Sequence, residues 1–374
     1  MVGRHAGPSS PFIANHDIRL SLGLVLYGIA AATASFLSAA LLAALFRNLA
    51  LRLGVVDRRR QRPVPLLGGP AVVLVTGLVA GAGDWTGVVP LGPGVRRLLV
   101  AGAALALLGL AADVWRLRRR TLLAGAAVAA AFVVPYEETG LPAGLLAVGW
   151  IALVATAFSR LDHADGLAGT VGVVTAFGVG VCAAAEVMDG LAVLLSALAA
   201  ALTGFLLHNW HPARIALGSC GAVFAGFVAA SAAVFTRAGH GLGSSVAVLG
   251  ALTAVVGADA VLVLLSRRLA GRPLLGGGPD HLGHRLRRAG LTPRGAAVLA
   301  GIWAFSGVLA GVLVHTGWAP AGTVLWIAAG ALVGVLGLLR IGDRTGRRSG
   351  QFTVSQPYIA GSLQVSGRLR VRNG

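Results

Sequence analysis

Charged side chains are scarce in this sequence. They account for 12% of its 374 residues, whereas apolar residues account for 56% and the mean hydropathy is +0.82. Soluble globular proteins carry roughly 25% charged residues. The composition therefore excludes an ordinary soluble domain and indicates an integral membrane protein.

Cysteine is also rare. The two cysteines, Cys182 and Cys220, both lie within apolar stretches of the sequence. Two cysteines in such positions indicate neither a disulfide framework nor a thiolate metal cluster. We therefore expect both to be small residues packed inside the protein.

Long apolar stretches dominate the chain. The first, about residues 20–46, is too long for the apolar core of a signal peptide, so we expect a retained membrane helix. Ten more candidates lie at 66–82, 98–112, 121–134, 141–158, 167–185, 190–207, 215–235, 244–265, 296–315 and 319–339. The sequence predicts an all-α bundle of about eleven transmembrane helices. A count of ten follows if one of the short candidates, 66–82 or 121–134, does not cross the membrane.

Lysine is absent, so all 31 basic residues are arginines. With the N-terminus placed outside, 26 of them lie in inward-facing segments and only five lie outside, namely Arg4, Arg19, Arg96, Arg97 and Arg237. Basic residues concentrate on the cytoplasmic side of membrane proteins. The sequence therefore predicts an external N-terminus and a cytoplasmic C-terminus, as an odd number of helices requires.

The net charge of +18 raises the question of a nucleic-acid partner. No basic motif interleaved with aromatic residues accompanies the charge, so we expect no nucleic acid. A basic inner surface instead favours anionic lipid headgroups and phosphorylated substrates.

A polar island interrupts the apolar sequence at residues 160–166, which read Arg-Leu-Asp-His-Ala-Asp-Gly. On a helix, Asp162 and Asp165 would share a face, with His163 beside them. Ionisable groups at a membrane boundary are costly unless they bind something, so the island is a candidate site. The alternative is an ordinary cytoplasmic turn that carries charge because water surrounds it.

Two glycines open the second candidate helix. Backbone N–H groups at Gly68 and Gly69 could approach a phosphate closely, because glycine has no side chain. The arginine-rich run at 58–62 before them is typical of a lipid-facing anchor. The two interpretations are compatible.

The longest inward loop, 266–295, contains two histidines three residues apart. His281 and His284 would share one face of a helix, next to Asp280. A zinc site with this spacing lacks a third strong ligand. A cationic loop that binds phosphate accounts for the same residues more simply.

Five inward-facing segments together resemble the polyprenyl-phosphate N-acetylhexosamine-1-phosphate transferases of bacterial glycosyltransferase family 4. In chain order, the segments are 53–57 with 65–69, 165–169, 209–215, 259 with 267–268, and 280–286. The second is similar to the Asp-Gly-Leu-Asp-Gly element of the family, and the third to its Asn-x-x-Pro-Ala-Arg element. All five lie in order on the same predicted membrane face.

The resemblance implies a transmembrane transferase-like domain at about 20–340. A short polar segment at 1–19 precedes it, and a basic, disordered cytoplasmic tail at 341–374 follows it. The family transfers an N-acetylhexosamine 1-phosphate from a UDP-sugar to a polyprenyl phosphate in the bacterial cell membrane, with the active face in the cytoplasm. This reaction initiates cell-wall or surface glycan synthesis. The arginine at position 214 is similar to that of the family branch whose donors are simple UDP-N-acetylhexosamines such as UDP-N-acetylglucosamine.

The resemblance also implies roles for individual residues. Asp113 and Asp165 would be catalytic, and Asp165 would bind magnesium, with Asp162, at a position where the family has asparagine, as a substitute ligand. The residues implied in substrate binding are Gly68, Gly69, Asn209, Arg214, His281, His284 and Arg285.

Several positions depart from the family pattern. Ala112 and Asp113 stand where the family has two aspartates, Ala168 replaces the second aspartate of the Asp-Gly-Leu-Asp-Gly element, and Gly283 replaces a histidine. Ser219 stands where the family has a magnesium-binding aspartate. Two functions therefore remain open: an active transferase, or a catalytically inactive member that binds polyprenyl phosphate or regulates an active paralogue.

The predicted orientation can be tested by thiol labelling. Single cysteines introduced into 47–63, 266–295 and 340–374 should react with a membrane-impermeant reagent only after the cells are permeabilised, because all three segments face the cytoplasm. A cysteine introduced beside Arg237, in a loop predicted to face outward, serves as the positive control. Labelling of any of the three segments in intact cells would overturn the orientation.

Overall fold

The computed structural model of the protein describes residues 11–57, 63–271 and 281–350. Within these ranges the chain forms fourteen helices and one two-stranded antiparallel sheet, in which Val56 pairs with Pro65 and Asp57 with Val64. The helices are α1 Pro11–Leu53, α2 Gly68–Trp85, α3 Gly92–Trp115, α4 Arg119–Val133, α5 Tyr136–Thr139, α6 Leu141–Leu161, α7 Leu167–Ala185, α8 Asp189–Asn209, α9 Gly218–Phe235, α10 Leu242–Leu252, α11 Ala254–Leu269, α12 Leu282–Arg288, α13 Pro293–His315 and α14 Thr323–Gly350. The strands are β1 Val56–Asp57 and β2 Val64–Pro65.

The predicted all-α membrane bundle is confirmed, and a helix covers each of the eleven predicted apolar segments. Within the described ranges, eight helices are long and apolar enough to cross a membrane, or nine if the bent pair α10 and α11 counts as one span. The remaining two segments are α2 and α4, which match the short candidates. With 15 residues, α4 is only about 22 Å long. The total number of spans and their orientation stay predictions.

Several helix ends differ from the predicted ones. Helix α1 continues past the apolar stretch to Leu53, because a helix ends where its backbone hydrogen bonds end and not where apolar residues do. The predicted span 244–265 is two helices that meet at Thr253 with an angle of 84°. Helix α14 continues to Gly350, while residues 1–10 and 351–374 of the predicted terminal segments lie outside the described residues.

Helix α9 forms the centre of the bundle. It packs against α2, α3, α6 and α7, and 89% of its 18 residues are buried. Its sequence consists mostly of Ala, Gly and Val with three phenylalanines, so neighbouring helices can approach it closely. Small residues favour this packing in lipid, where van der Waals contact stabilises helix pairs in the absence of a hydrophobic driving force.

Two glycines set the closest of these approaches at the start of α9. A Cβ atom added to Gly109 of α3 would lie 2.8 Å from both the Ser219 carbonyl oxygen and the Cys220 Cα atom. A Cβ atom added to Gly69 of α2 would lie 2.8 Å from the Gly221 Cα atom. Real side chains do not tolerate such distances, so glycine at these positions lets α2 and α3 meet the N-terminus of α9.

We expect the Gly69→Ala substitution to destabilise the protein by about 1–3 kcal/mol, because the added methyl group overlaps the backbone of α9. Gly77→Ala is the matched control: it lies on the same helix, and nothing lies within 4 Å of its added Cβ atom. The midpoint of thermal unfolding in detergent should fall only for Gly69→Ala. Equal midpoints for the two variants would contradict the close packing of α2 on α9.

Candidate active site

The candidate site lies at one end of the bundle, where the ends of several helices meet. Antiparallel helices bring together the end of α3, the turn 162–166 between α6 and α7, and the connection from α8 to α9. This connection and the first turn of α9 are here called the 209–220 segment. Three aspartates contact it.

Each aspartate accepts hydrogen bonds from a different part of the 209–220 segment. Asp113 accepts the N–H groups of Ser219 at 2.8 Å and Cys220 at 3.3 Å. Asp162 accepts those of Leu217 at 3.3 Å and Gly218 at 2.9 Å, and Asp165 accepts that of Ala213 at 3.1 Å. The first N–H groups of a helix have no partner within it and carry partial positive charge. Two carboxylates from other helices therefore cap α9.

Asp165 also pairs with His211, a residue that the sequence analysis did not assign to the site. The Nδ1 atom of His211 lies 2.8 Å from the Asp165 Oδ2 atom, and both side chains are partly exposed, at 38% and 21%. A carboxylate can only accept, so Nδ1–H donates and Nε2 is the remaining ring nitrogen. The sequence feature that could have identified His211 is its position within the Asn-x-x-Pro-Ala-Arg segment at 209–214.

Asn209 holds the turn that carries Asp165. Its buried amide accepts the Gly166 N–H at 3.0 Å and donates to the Ile215 carbonyl oxygen at 2.8 Å. Gly166 has a φ of +74°, a conformation that suits glycine. Asn209 thus positions Asp165, and its predicted contact with substrate stays a prediction. Arg214, which is also predicted to bind substrate, is exposed beside it.

A second pair of ionisable groups lies next to the polar island. Asp259, which is fully buried, accepts the Leu282 N–H at 2.7 Å and pairs with the His281 Nδ1 atom at 3.1 Å. The His281 ring stacks on the ring of His163, with 5.2 Å between centroids. The long inward loop therefore meets the 160–166 island through His281.

Three of the predicted substrate-binding residues hydrogen-bond or pack against other parts of the protein. The Gly68 N–H donates to the Ala216 carbonyl oxygen at 3.0 Å, and Gly69 packs against the backbone of α9. The buried Arg285 guanidinium donates to the Leu338 carbonyl oxygen at 2.9 Å and to the Ser266 hydroxyl. Their contacts with phosphate stay predictions.

His284 is half-buried on the same short helix as Arg285. Burial lowers its pKa below the usual 6.5, and the positive charges of His281, Arg287 and Arg288 lower the pKa further. At neutral pH, His284 is therefore an uncharged hydrogen-bonding group. A bound anion would raise its pKa again.

Both residues of the predicted magnesium pair already accept hydrogen bonds within the protein. Asp162 is only 6% exposed and both its oxygens accept N–H groups of α9, whereas Asp165 is directed at His211 and Ala213. Across the described part of the chain, no three His, Cys, Asp or Glu side chains form a group that could hold a metal ion. The two carboxylates thus cap different backbone segments, and their binding of magnesium stays a prediction.

His284 makes stability depend on pH. Since its pKa is lower in the folded chain than in the unfolded chain, the unfolded chain takes up the proton first as the pH falls. Acidification from about pH 7.5 to 5.5, through the usual pKa of 6.5, should therefore lower the unfolding midpoint. The drop should be smaller in His284→Gln, measured by thermal unfolding in detergent at both pH values. Equal drops in the two proteins would show that His284 is not responsible.

Comparison with known proteins identifies relatives of this chain. The sequence model of the family described as "Glycosyl transferase family 4" matches residues 95–237, which contain all three aspartates. A Streptomyces coelicolor protein with the name "Putative glycosyltransferase" is 69% identical over 321 residues. The match covers 85% of this chain and 78% of the relative.

Two more distant relatives have more specific names. Decaprenyl-phosphate N-acetylglucosaminephosphotransferase of Mycobacterium tuberculosis is 29% identical over 303 residues, or 69% of this chain and 75% of the relative. Phospho-N-acetylmuramoyl-pentapeptide-transferase of Symbiobacterium thermophilum is 36% identical over 128 residues, or 34% of this chain and 37% of the relative. With an extensive match to one relative and a family model that spans the aspartates, the chain belongs to glycosyl transferase family 4.

Proposed function

We propose that the protein transfers an N-acetylhexosamine 1-phosphate from a UDP-sugar to a polyprenyl phosphate at the cytoplasmic face of the cell membrane. The observation that carries the proposal is the convergence of Asp113, Asp162 and Asp165 on the 209–220 segment, with His281 beside them. The activity named for the Mycobacterium tuberculosis relative supports the same substrates.

The proposed reaction exchanges one bond at phosphorus. An oxygen of the polyprenyl phosphate forms a bond to the β-phosphorus of the UDP-sugar, while the bond from this phosphorus to the oxygen bridging the α-phosphate breaks. The products are a polyprenyl diphosphate sugar and UMP. Two anions must meet in line, so the protein has to align the phosphates and offset their charge.

Asp113 suits the lipid phosphate. It lies two residues before the end of α3, where a membrane helix reaches the headgroup level, and its side chain is only half-buried. The N–H groups of Ser219 and Cys220 fix one of its oxygens. We assign Asp113 the role of orienting the lipid phosphate and accepting its proton when the phosphate is monoprotonated.

Asp165 and the histidines suit the nucleotide side. Asp165 holds His211 in one orientation, and Asp259 does the same for His281. When both ring nitrogens are protonated, the Nε2–H groups of these two oriented imidazoles can donate to the oxygens of a diphosphate, and His284 can join them. The arginine excess of the predicted cytoplasmic segments would attract the anionic donor to this face.

Replacing Asp113 with asparagine should lower the rate of transfer at least about 100-fold, because an amide cannot accept the proton. Asparagine keeps an oxygen that can accept the Ser219 N–H, so the unfolding midpoint should change little. The measurement is the labelling of added polyprenyl phosphate by radioactive UDP-N-acetylglucosamine in membranes. Asp189→Asn, the same chemical change at the opposite end of α8, should keep the wild-type rate.

The assay also decides between the two functions left open by the sequence. It should be run across a magnesium titration, because magnesium binding by Asp162 and Asp165 is still a prediction. If the wild-type protein labels no lipid at any magnesium concentration but still binds polyprenyl phosphate, the transferase proposal fails and the non-catalytic function remains.

A further inference from the structure

One buried atom next to the island lacks a partner. His281 is 3% exposed, and its Nδ1 atom pairs with Asp259, but its Nε2 atom makes no hydrogen bond. Buried polar atoms in folded proteins almost always have a partner, and each exception requires an explanation. The nearby polar island supplies one.

Arg160 lies half-buried at the end of α6. No hydrogen bond or ion pair joins its guanidinium to another described residue. The Asp259 carboxylate is close enough to attract it, and the buried Arg267 is close enough to repel it. Arg160 and His281 therefore both lie near Asp259.

The opposite end of the bundle shows how this protein satisfies a buried arginine. Arg237 is 7% exposed and donates to Ser244 at 2.8 Å, Ser245 at 3.4 Å and the His315 Nδ1 atom at 3.1 Å. The other ring nitrogen of His315 lies 3.3 Å from Glu186, which supplies the counter-charge. Arg160 therefore differs from Arg237, whose guanidinium has three hydrogen-bond partners.

An unpaired guanidinium requires an anionic acceptor, and the Nε2 atom of His281 can donate to the same anion when the ring carries a proton on both nitrogens. A charged group at a membrane boundary is costly unless it is paired, and guanidinium binds phosphate oxygens through two parallel hydrogen bonds. We propose that Arg160 is a further substrate-binding residue, whose guanidinium binds one phosphate group of a substrate together with the Nε2 atom of His281. This assignment rests on the proposed function and adds to it a residue that the family resemblance did not supply.

The phosphate could come from either substrate, so the test uses two probes. UDP represents the donor and farnesyl phosphate the lipid, and each is titrated separately against the purified protein in lipid nanodiscs by calorimetry. No turnover is possible with either probe alone. The result is therefore independent of whether the protein is an active transferase.

Arg160→Gln should raise the Kd of one probe roughly 10-fold to 100-fold, the usual effect of losing a hydrogen bond to a charged group. His281→Gln should weaken binding of the same probe. Arg268→Gln is the matched control, because it removes the same charge from an exposed position at the same end of the bundle. It should leave both Kd values within about threefold of wild type, since an exposed charge is screened by solvent.

The probe that is affected identifies the source of the phosphate. A loss of UDP binding assigns the subsite to the nucleotide, and a loss of farnesyl phosphate binding assigns it to the lipid. The proposal is overturned if a folded Arg160→Gln protein binds both probes as tightly as wild type, or if the wild-type protein binds neither.

If Arg160→Gln does not fold, Arg160→Lys replaces it. Lysine keeps the charge but not the paired donors, so the Kd should still rise, and a wild-type Kd for both probes would overturn the proposal. A wild-type protein that shows Arg160-dependent binding without transfer would disprove the transferase function and leave the subsite in place. Transfer with unchanged binding by Arg160→Gln would disprove only the subsite.

Discussion

The first N–H groups of the buried helix α9 require hydrogen-bond acceptors, and the packing of the neighbouring helices depends on how this requirement is met. Helix α9 is surrounded by other helices. At its N-terminus, which lies at one end of the bundle, water cannot reach all of the first N–H groups. Carboxylates from α3 and from the turn after α6 accept these hydrogen bonds, and glycines let the neighbouring helices come close enough. The capping therefore fixes both the helix packing and the position of the acidic side chains, so one set of contacts serves folding and the proposed chemistry.

The same end of the bundle combines satisfied and unsatisfied polar groups. Asp162, Asn209 and Asp259 are buried and hydrogen-bonded to backbone groups, as the cost of burying polar atoms requires. Arg160 and the Nε2 atom of His281 lie nearby without such partners. A rigid frame of satisfied groups holds reactive ones in place, and this arrangement suits a site that must align two phosphates before they react.

Most of the fold could be predicted from the sequence because the apolar stretches are long. Every stretch is helical, although 244–265 forms two helices, and the two short candidates give the helices that fall below the length or the hydropathy expected of a span. Helix ends were harder to predict, because they depend on backbone conformation. Gly218, with a φ of +68°, starts α9 three residues later than the apolar pattern suggests.

The residue types of the candidate site could be predicted from the sequence, but the contacts between these residues could not. Asp113 and Ser219 are 106 residues apart in sequence, and no local pattern shows that they meet. For the same reason the sequence analysis missed His211 and gave no separate role to Arg160. It also predicted that Gly68 and Arg285 bind substrate, but a motif does not show which groups of the protein they contact. The Gly68 N–H donates to the Ala216 carbonyl oxygen, and the Arg285 guanidinium donates to Ser266 and to the Leu338 carbonyl oxygen.

The short helix α4 has a consequence for the membrane itself. Its length of about 22 Å is roughly 8 Å less than the hydrocarbon thickness of a typical bilayer. If α4 crosses the membrane, the lipid beside it must thin, because polar groups at both ends of the helix require the headgroup level. Helix α4 packs against α3 and begins four residues after it ends, close to Asp113. Local thinning would lower the lipid phosphates toward this carboxylate, so the thickness of the host bilayer would help to set the depth at which the two groups meet.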